Sequence, residues 1–383
     1  MSGLCIENAR LFRAGAFEGG GLRAEDGLIT AVGRVRAERG DLVVDAGGGL
    51  LLPGFIDLHT HGAVGVDVNA ADADGLRKLG SFFASHGVTG WLCSVLSDSE
   101  EQTLRVIGEA KKVMAEPYDG AELLGIHMEG PFLSPAYAGA MPRSMLRQGD
   151  AEYFRRCQSA AGGAVRYITV APEVPGVEQM VGEISGGTAV AMGHSAATYD
   201  QTMACIALGA KASTHTFNAM RLFHQHEPAI MGAALESDIY CEAICDGRHL
   251  HPASVRLLFK AKGGERVVAV TDSIMAAGLP DGQYMLGINP ITVLNGDAKL
   301  TSDGTRAGST LTMDLALKNL RRFTGRPLAE LVPALTENPA ALIGVGDRLG
   351  RLERGCDASL TLTDEQLNVS RVFVRGRQVF NKT

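Results

Sequence analysis

Short apolar runs recur through the middle of the chain, each followed by a polar or glycine-containing loop and then a longer amphipathic stretch. The runs are Gly54–His59, Thr89–Val95, Leu123–Met128, Tyr167–Val170, Ala189–Met192, Ala212–Thr216, Ile239–Cys245 and Val267–Val270. Runs of roughly four to eight apolar residues alternating with helix-length segments mark βα units of a parallel sheet, and eight of them predict a closed α/β barrel of the (β/α)8 type. The two ends of the chain read differently, as short strands and turns: Leu4–Phe12, Gly21–Gly33 and Leu42–Leu52 at the start, Ala358–Thr363 and Arg371–Phe380 at the close. Neither end has enough strands to bury a face alone, so the pattern predicts that residues 1–52 and 350–383 join in one small β-sandwich domain, with 53–349 as the barrel. Turns at Pro280-Asp281-Gly282, Asn295-Gly296 and Asp303-Gly304 predict a β-hairpin insertion near 279–304.

Composition narrows the function. The chain has 383 residues, 45% of them hydrophobic and 21% charged, which is enough apolar material for a full core. Its 36 Lys+Arg against 43 Asp+Glu give a net charge of −7. With no basic block, the sequence argues against nucleic-acid binding and for a small-molecule partner. Seven cysteines are scattered and never form a Cys-x-x-Cys pair. They read as reduced thiols of a cytoplasmic protein. The start lacks the apolar run of a signal peptide, and no window reaches the roughly 18 apolar residues of a membrane span, so no membrane association is expected.

Five of the eight runs end in a histidine or carboxylate: His59-Thr60-His61, His127-Met128-Glu129-Gly130-Pro131, Gly193-His194-Ser195, Thr214-His215-Thr216 and Thr271-Asp272. His249 follows the seventh run by a few residues. Active sites of (β/α)8 barrels lie at the C-terminal ends of the strands. In a His-x-His on a strand both imidazoles face one side, so His59 and His61 can grip one ion. A single histidine after a strand is more often an interior or loop residue than a ligand. Four histidines, a Glu and an Asp converging on one barrel face define a metal site, with ligand types that suit zinc or another borderline divalent ion. His86 reads as structural, and His224 and His251 carry no assignment.

The motifs PGFIDLHTHG at 53–62, GIHMEGPFLSP at 125–135, MGHSAAT at 192–198, THTFNAM at 214–220, CDGRH at 245–249, AVTDS at 269–273 and AGSTLTM at 307–313 resemble the landmarks of the N-acetylglucosamine-6-phosphate deacetylases of the amidohydrolase superfamily. The resemblance runs from Pro53 to about Gly350. It implies that Glu129, His194 and His215 hold the principal metal, that His59 and His61 complete a possible second site, so one or two ions per subunit, and that Asp272 is the catalytic carboxylate. It further implies that Ala140, Asn218, Ala219, His226, His249, Arg306, Ala307 and Gly308 match positions lining an amino-sugar phosphate pocket, and that the protein is a homodimer. The expected reaction is deacetylation of N-acetylglucosamine 6-phosphate to glucosamine 6-phosphate and acetate. A metal-bound hydroxide attacks the acetyl carbon, while Asp272 acts as general base and then as general acid.

Three positions depart from the family pattern. Met141 stands where the family has a histidine facing the substrate amide, and a thioether is no replacement donor. His226 stands where the family has an arginine that reaches a neighbouring subunit's phosphate. Arg306 occupies a position usually apolar. These departures keep two alternatives in view: an amidohydrolase acting on a different or unphosphorylated N-acyl amine, and a non-catalytic metal-binding homologue. A serine hydrolase is a weaker rival, since Gly193-His194-Ser195-Ala196-Ala197 ends in alanine where a nucleophile elbow has glycine.

Overall fold

The computed structural model describes residues 3–382. Eight parallel strands form the central sheet: Phe55–Asp57 (β1), Val88–Leu96 (β2), Glu122–Glu129 (β3), Val165–Val170 (β4), Ala189–Met192 (β5), Ala212–Ser213 (β6), Tyr240–Ile244 (β7) and Val267–Val270 (β8). Their order in the sheet follows the chain, and each is followed by a helix, from Ala73–Ser85 after β1 to Met313–Thr324 after β8. The (β/α)8 architecture expected from the eight apolar runs is therefore present. Strand β2 is buried along all nine residues, as a strand covered by helices outside and side chains inside must be.

The helices form where caps and apolar spacing agree. In Ala73–Ser85 the Asp72 carboxylate accepts the Gly75 N–H at 2.8 Å, and Leu76, Leu79, Gly80, Phe83 and Ala84 fall on one buried face. In Glu100–Met114 Ser99 caps the start, two glutamates occupy the first turn and two lysines the last, matching the helix dipole. Inside the barrel, Ile56, Leu92, Leu124, Tyr167, Ala191, Ala212, Ile244 and Val268 pack in one cluster with a contribution from every strand. This apolar floor lies beneath the polar strand ends and excludes water from that side.

The barrel closes through residues of the strand-end motifs. Between β1 and β8 the connection is a parallel bridge at Thr60 and Ser273, with the Asp272 N–H donating to His59 O at 2.8 Å and the His61 N–H to Ser273 O at 2.7 Å. Asp57 braces the same seam, accepting the Thr271 hydroxyl at 2.6 Å. Burial pushes the Asp57 carboxyl up to about 6.

Strands from the two chain ends form one hydrogen-bonded eight-stranded sheet. Leu360–Thr363 pairs antiparallel with Leu50–Pro53, which in turn lies beside Leu4–Arg13. The chain then enters the barrel through Gly54, where a Cβ would lie 2.0 Å from the Thr89 hydroxyl, so only glycine allows the crossing. The insertion after β8 differs from the expected hairpin. It is a three-stranded antiparallel meander of Gly282–Leu286, Asn289–Leu294 and Asp297–Leu300, because Asn295-Gly296 turns the chain back once more. Its buried side chains Leu286, Ile291, Val293 and Ala298 pack with Leu96, Ala138, Met141, Ile274 and Ala307. The meander thus walls the mouth of the barrel.

Candidate metal centre and active site

Glu129, the last residue of β3, is the hub. Its Oε1 lies 3.1 Å from His194 Nε2, 3.2 Å from His215 Nε2 and 3.3 Å from His59 Nε2, and its Oε2 lies 3.0 Å from His61 Nε2. Two groups of three ligand atoms therefore share one carboxylate: His59, His61 and Glu129, and Glu129, His194 and His215. All five residues are buried.

For His61 and His194 the other side of the ring fixes which nitrogen faces the centre. His61 Nδ1 lies 3.0 Å from Ser94 O and His194 Nδ1 2.9 Å from Tyr137 O. A carbonyl can only accept, so Nδ1 carries a proton, and Nε2 is the atom left to present a lone pair to an ion once it gives up its own proton. The Nε2 atoms converge: His194 and His215 Nε2 are 2.9 Å apart, and His59 and His61 Nε2 are 3.2 Å apart. Facing lone pairs repel unless a proton or a cation lies between them. The donor set of imidazole nitrogens around one shared carboxylate fits a divalent metal.

Electrostatics follow the same geometry. Burial alone pushes the Glu129 carboxyl up, but the charge on His59 and hydrogen bonds from His194, His215 and His59 hold it well below the usual range. Asp272 Oδ1 lies 3.3 Å from His61 Nε2 and 3.6 Å from His59 Nε2. Burial raises this carboxyl too, and the neighbouring charges of His59 and His61 bring it below its ordinary value. His61 answers in the opposite direction: burial disfavours its charged form, yet bonds to Asp272 and Glu129 push it up to about 9. His194, His215 and Asp272 all have positive φ, at 47°, 28° and 49°. Non-glycine residues in this region store strain, and such strain clusters at functional sites. The turn at His215, followed by Phe217 and Ala219 at 79° and 49°, also explains why β6 stops at Ser213 rather than running to Thr216.

A cavity of about 420 Å³ opens over the centre. Ala140, Asn218, Ala219, His249, Arg306, Ala307 and Gly308 all line it, beside His61, Glu129, His194, His215 and Asp272. Asn218 also donates to His215 O at 3.1 Å and so braces the ligand loop. His249 Nδ1 is 2.7 Å from Asp246 Oδ2. Gly308, at φ +60°, passes so close to Ile274 that a Cβ would lie 2.4 Å from its Cγ2. His226 is not brought to this cavity within its own chain; it stands in an exposed loop with His224, ring centroids 5.4 Å apart. Met141 adds an apolar wall, and Arg143 lines the cavity with its charge unpaired among the described residues. Arg306 is held by Asp297 through two bonds of 3.0 and 3.1 Å.

Several participants escaped the sequence reading. Glu242 on β7 is fully buried and accepts from His59 Nδ1 at 3.0 Å and from the His215 N–H at 2.8 Å. His127, one turn of the pleat before Glu129, is tied to Ser94 and Thr169, both at 2.9 Å, and burial beside the His59 charge holds it well below its ordinary range. A carboxylate inside an otherwise apolar strand was the available signal for Glu242. Ser195, the residue of the serine-hydrolase rival, is fully buried and donates to Glu173 at 2.7 Å, leaving no exposed nucleophile.

Two buried His/Glu groups that share Glu129 lie at the C-terminal end of a (β/α)8 barrel, the arrangement of a divalent-metal hydrolase site. The amidohydrolase family model matches residues 50–379. The chain is 35% identical over 355 residues to the N-acetylglucosamine-6-phosphate deacetylase of Lysinibacillus sphaericus, covering 92% of this chain and 91% of that one. It is 34% identical to the N-acetylgalactosamine-6-phosphate deacetylase of Escherichia coli O157:H7, with 93% of each chain covered. A mutant N-acetyl-D-glucosamine-6-phosphate deacetylase from Mycobacterium smegmatis, in complex with N-acetyl-D-glucosamine-6-phosphate, superposes with a TM-score of 0.92 at 32% identity over the whole of both chains. The chain belongs to the amidohydrolase family, within its N-acetylglucosamine-6-phosphate deacetylase group, and is a hydrolase of linear amides.

Proposed function

We propose that the protein removes the acetyl group from N-acetylglucosamine 6-phosphate, giving glucosamine 6-phosphate and acetate. The observation that carries this reading is the placement of Asp272 at 3.3 Å from His61, beside the shared Glu129 and inside a cavity that also holds Arg143 and Arg306. The names of the relatives above support the amino-sugar phosphate as substrate.

His59, His61, Glu129, His194 and His215 would hold two divalent ions, with zinc suited to the donor set. Glu129, Glu242 and Asp272 find only histidine partners for ion pairing among the described residues, so two dications offset their charge better than one. A divalent ion held there would lower the pKa of water to about 7 and would polarise the amide carbonyl. Asp272 takes the proton released as water adds to the acetyl carbon. The same carboxyl then delivers it to the sugar nitrogen as the C–N bond breaks. Apolar residues around Met141 exclude bulk water from the acetyl side, and Arg143 with Arg306 receives the phosphate in place of the arginine absent at position 226.

Two further readings belong to this proposal. A homodimer is supported by Leu222 and Phe223, 74% and 57% exposed in the loop after the cavity residues Asn218 and Ala219. It is this loop that would carry His226 toward a neighbouring site. A cytoplasmic location is supported by seven cysteines that are all buried and unpaired; no helix is long and apolar enough to cross a membrane.

The test is acetate release by the zinc-loaded protein from N-acetylglucosamine 6-phosphate, N-acetylgalactosamine 6-phosphate and unphosphorylated N-acetylglucosamine in parallel. Highest kcat/KM for the first is expected. Equal turnover of the neutral sugar would transfer the site to the alternative of a non-phosphorylated N-acyl amine.

A further inference from the structure

Glu242 lies in the middle of β7, with no exposure to solvent and no lysine or arginine against it among the described residues. Burying an ionised carboxylate without a cation is costly. One of its oxygens, Oε2, accepts two hydrogen bonds that lead to different places. The 3.0 Å bond from His59 Nδ1 fixes the tautomer of a ring in the His59–His61–Glu129 group. The 2.8 Å bond from the main-chain N–H of His215 pins a ligand of the Glu129–His194–His215 group, at a residue whose φ of 28° is otherwise unfavourable. Its other oxygen, Oε1, has no partner, and neither does the hydroxyl of Tyr167 on β4.

We propose that Glu242 is a positioning residue that couples the two ion sites. By accepting from His59 Nδ1 it leaves Nε2 as an aimed and more basic donor toward the first group. By holding the His215 amide it keeps that ring's Nε2 3.2 Å from Glu129 Oε1 in the second. Its only charged neighbour among the described residues is His59, so an ion bound by that ring takes over the offsetting of its charge. Filling one site therefore orders the anchor on which the other depends. Glu242 does not itself line the cavity and reaches it only through the main chain of His215, so its effect falls on the ions before substrate recognition.

The inference rests on the two-ion reading above, and the experiment separates the two. Wild type, Glu242→Gln and Glu242→Ala are stripped with chelator and titrated with zinc against a competing indicator, and with cobalt followed by its visible absorption. Circular dichroism establishes that each variant is folded before titration. The wild type is expected to take two ions cooperatively. In Glu242→Gln, which keeps an accepting oxygen but loses the charge, affinity is expected to fall roughly tenfold. In Glu242→Ala the fall is expected to approach 100-fold, the upper end for outer partners of metal ligands, with cooperativity lost. Folded variants that take two ions with wild-type affinity and cooperativity would overturn the role of Glu242. Failure of the wild type itself to hold ions would instead remove the metal reading on which the proposal stands.

Discussion

The main-chain N–H of Asp272 donates to the carbonyl of His59 at 2.8 Å, while its side-chain Oδ1 lies 3.6 Å from the same residue's Nε2. One residue pair therefore closes the barrel and faces the metal centre. Strand β8 is held in register against β1 by the residues that would do the chemistry, so Asp272 has little freedom to drift relative to the ligands.

Because the closing bond is made by the backbone, Asp272→Asn should leave the barrel intact. The amide cannot take and return a proton, so kcat is expected to fall by about 10²–10⁴ with substrate binding retained. Acetate release measured beside equilibrium binding of the phosphorylated sugar checks this. A variant that loses binding and turnover together would show that Asp272 serves structure alone.

Arg143 lines the cavity without a counter-ion, whereas Arg306 is already held by Asp297. Loss of a hydrogen bond to a charged group is worth about 1.5–3 kcal/mol, so Arg143→Ala should lower kcat/KM for the phosphorylated substrate by roughly 10–150-fold. Turnover of the unphosphorylated sugar should be little changed. Steady-state kinetics on the two substrates gives the comparison, and equal losses on both would place the phosphate elsewhere.

Without metal, His61 is raised from the ordinary 6.5 to about 9. A raised imidazole contributes stability that is fully present below pH 6.5 and is lost as pH rises through 9. Thermal unfolding of the chelated protein should therefore show this contribution draining away between pH 6.5 and 9. Zinc replaces that proton, so binding in this window should release protons and tighten as pH rises. Calorimetry in buffers of different ionisation enthalpy measures the release; zinc binding that weakens from pH 6.5 to 9 would contradict the assignment.

Leu92 is fully buried in the barrel floor. Leu92→Ala should cost about 2–5 kcal/mol in unfolding free energy, as cavity-forming core substitutions do. The ion count of the folded variant should not change. Denaturant unfolding with metal analysis tests both halves.

Much of this organisation is legible in the sequence because the relevant signals are periodic or terminal. Eight apolar runs mark eight strands, and residues that follow them, such as Glu129 and His194, sit where barrel strands open to solvent. Glu242 was not found because its neighbours Cys241 and Ala243 make the run look like ordinary buried strand, and nothing local says that a carboxylate there meets His59, 183 residues earlier. His127 is visible in the motif before Glu129 but receives no role there, because its partners Ser94 and Thr169 are hydroxyl residues of adjacent strands that carry no motif. The third meander strand was missed because Asp297–Leu300 is only four residues long and its pairing to Ile291–Leu294 is set by the Asn295-Gly296 turn, not by hydrophobic alternation. Interactions across the barrel depend on closure, and closure is a property of the whole sheet.

The most direct test of the account is to add zinc in measured equivalents to chelator-stripped protein and record acetate release from N-acetylglucosamine 6-phosphate at each step. The Glu129-centred site predicts no turnover at zero metal and a rise that saturates at two equivalents per chain. Full turnover by the stripped protein, or none once two ions are bound, would contradict it.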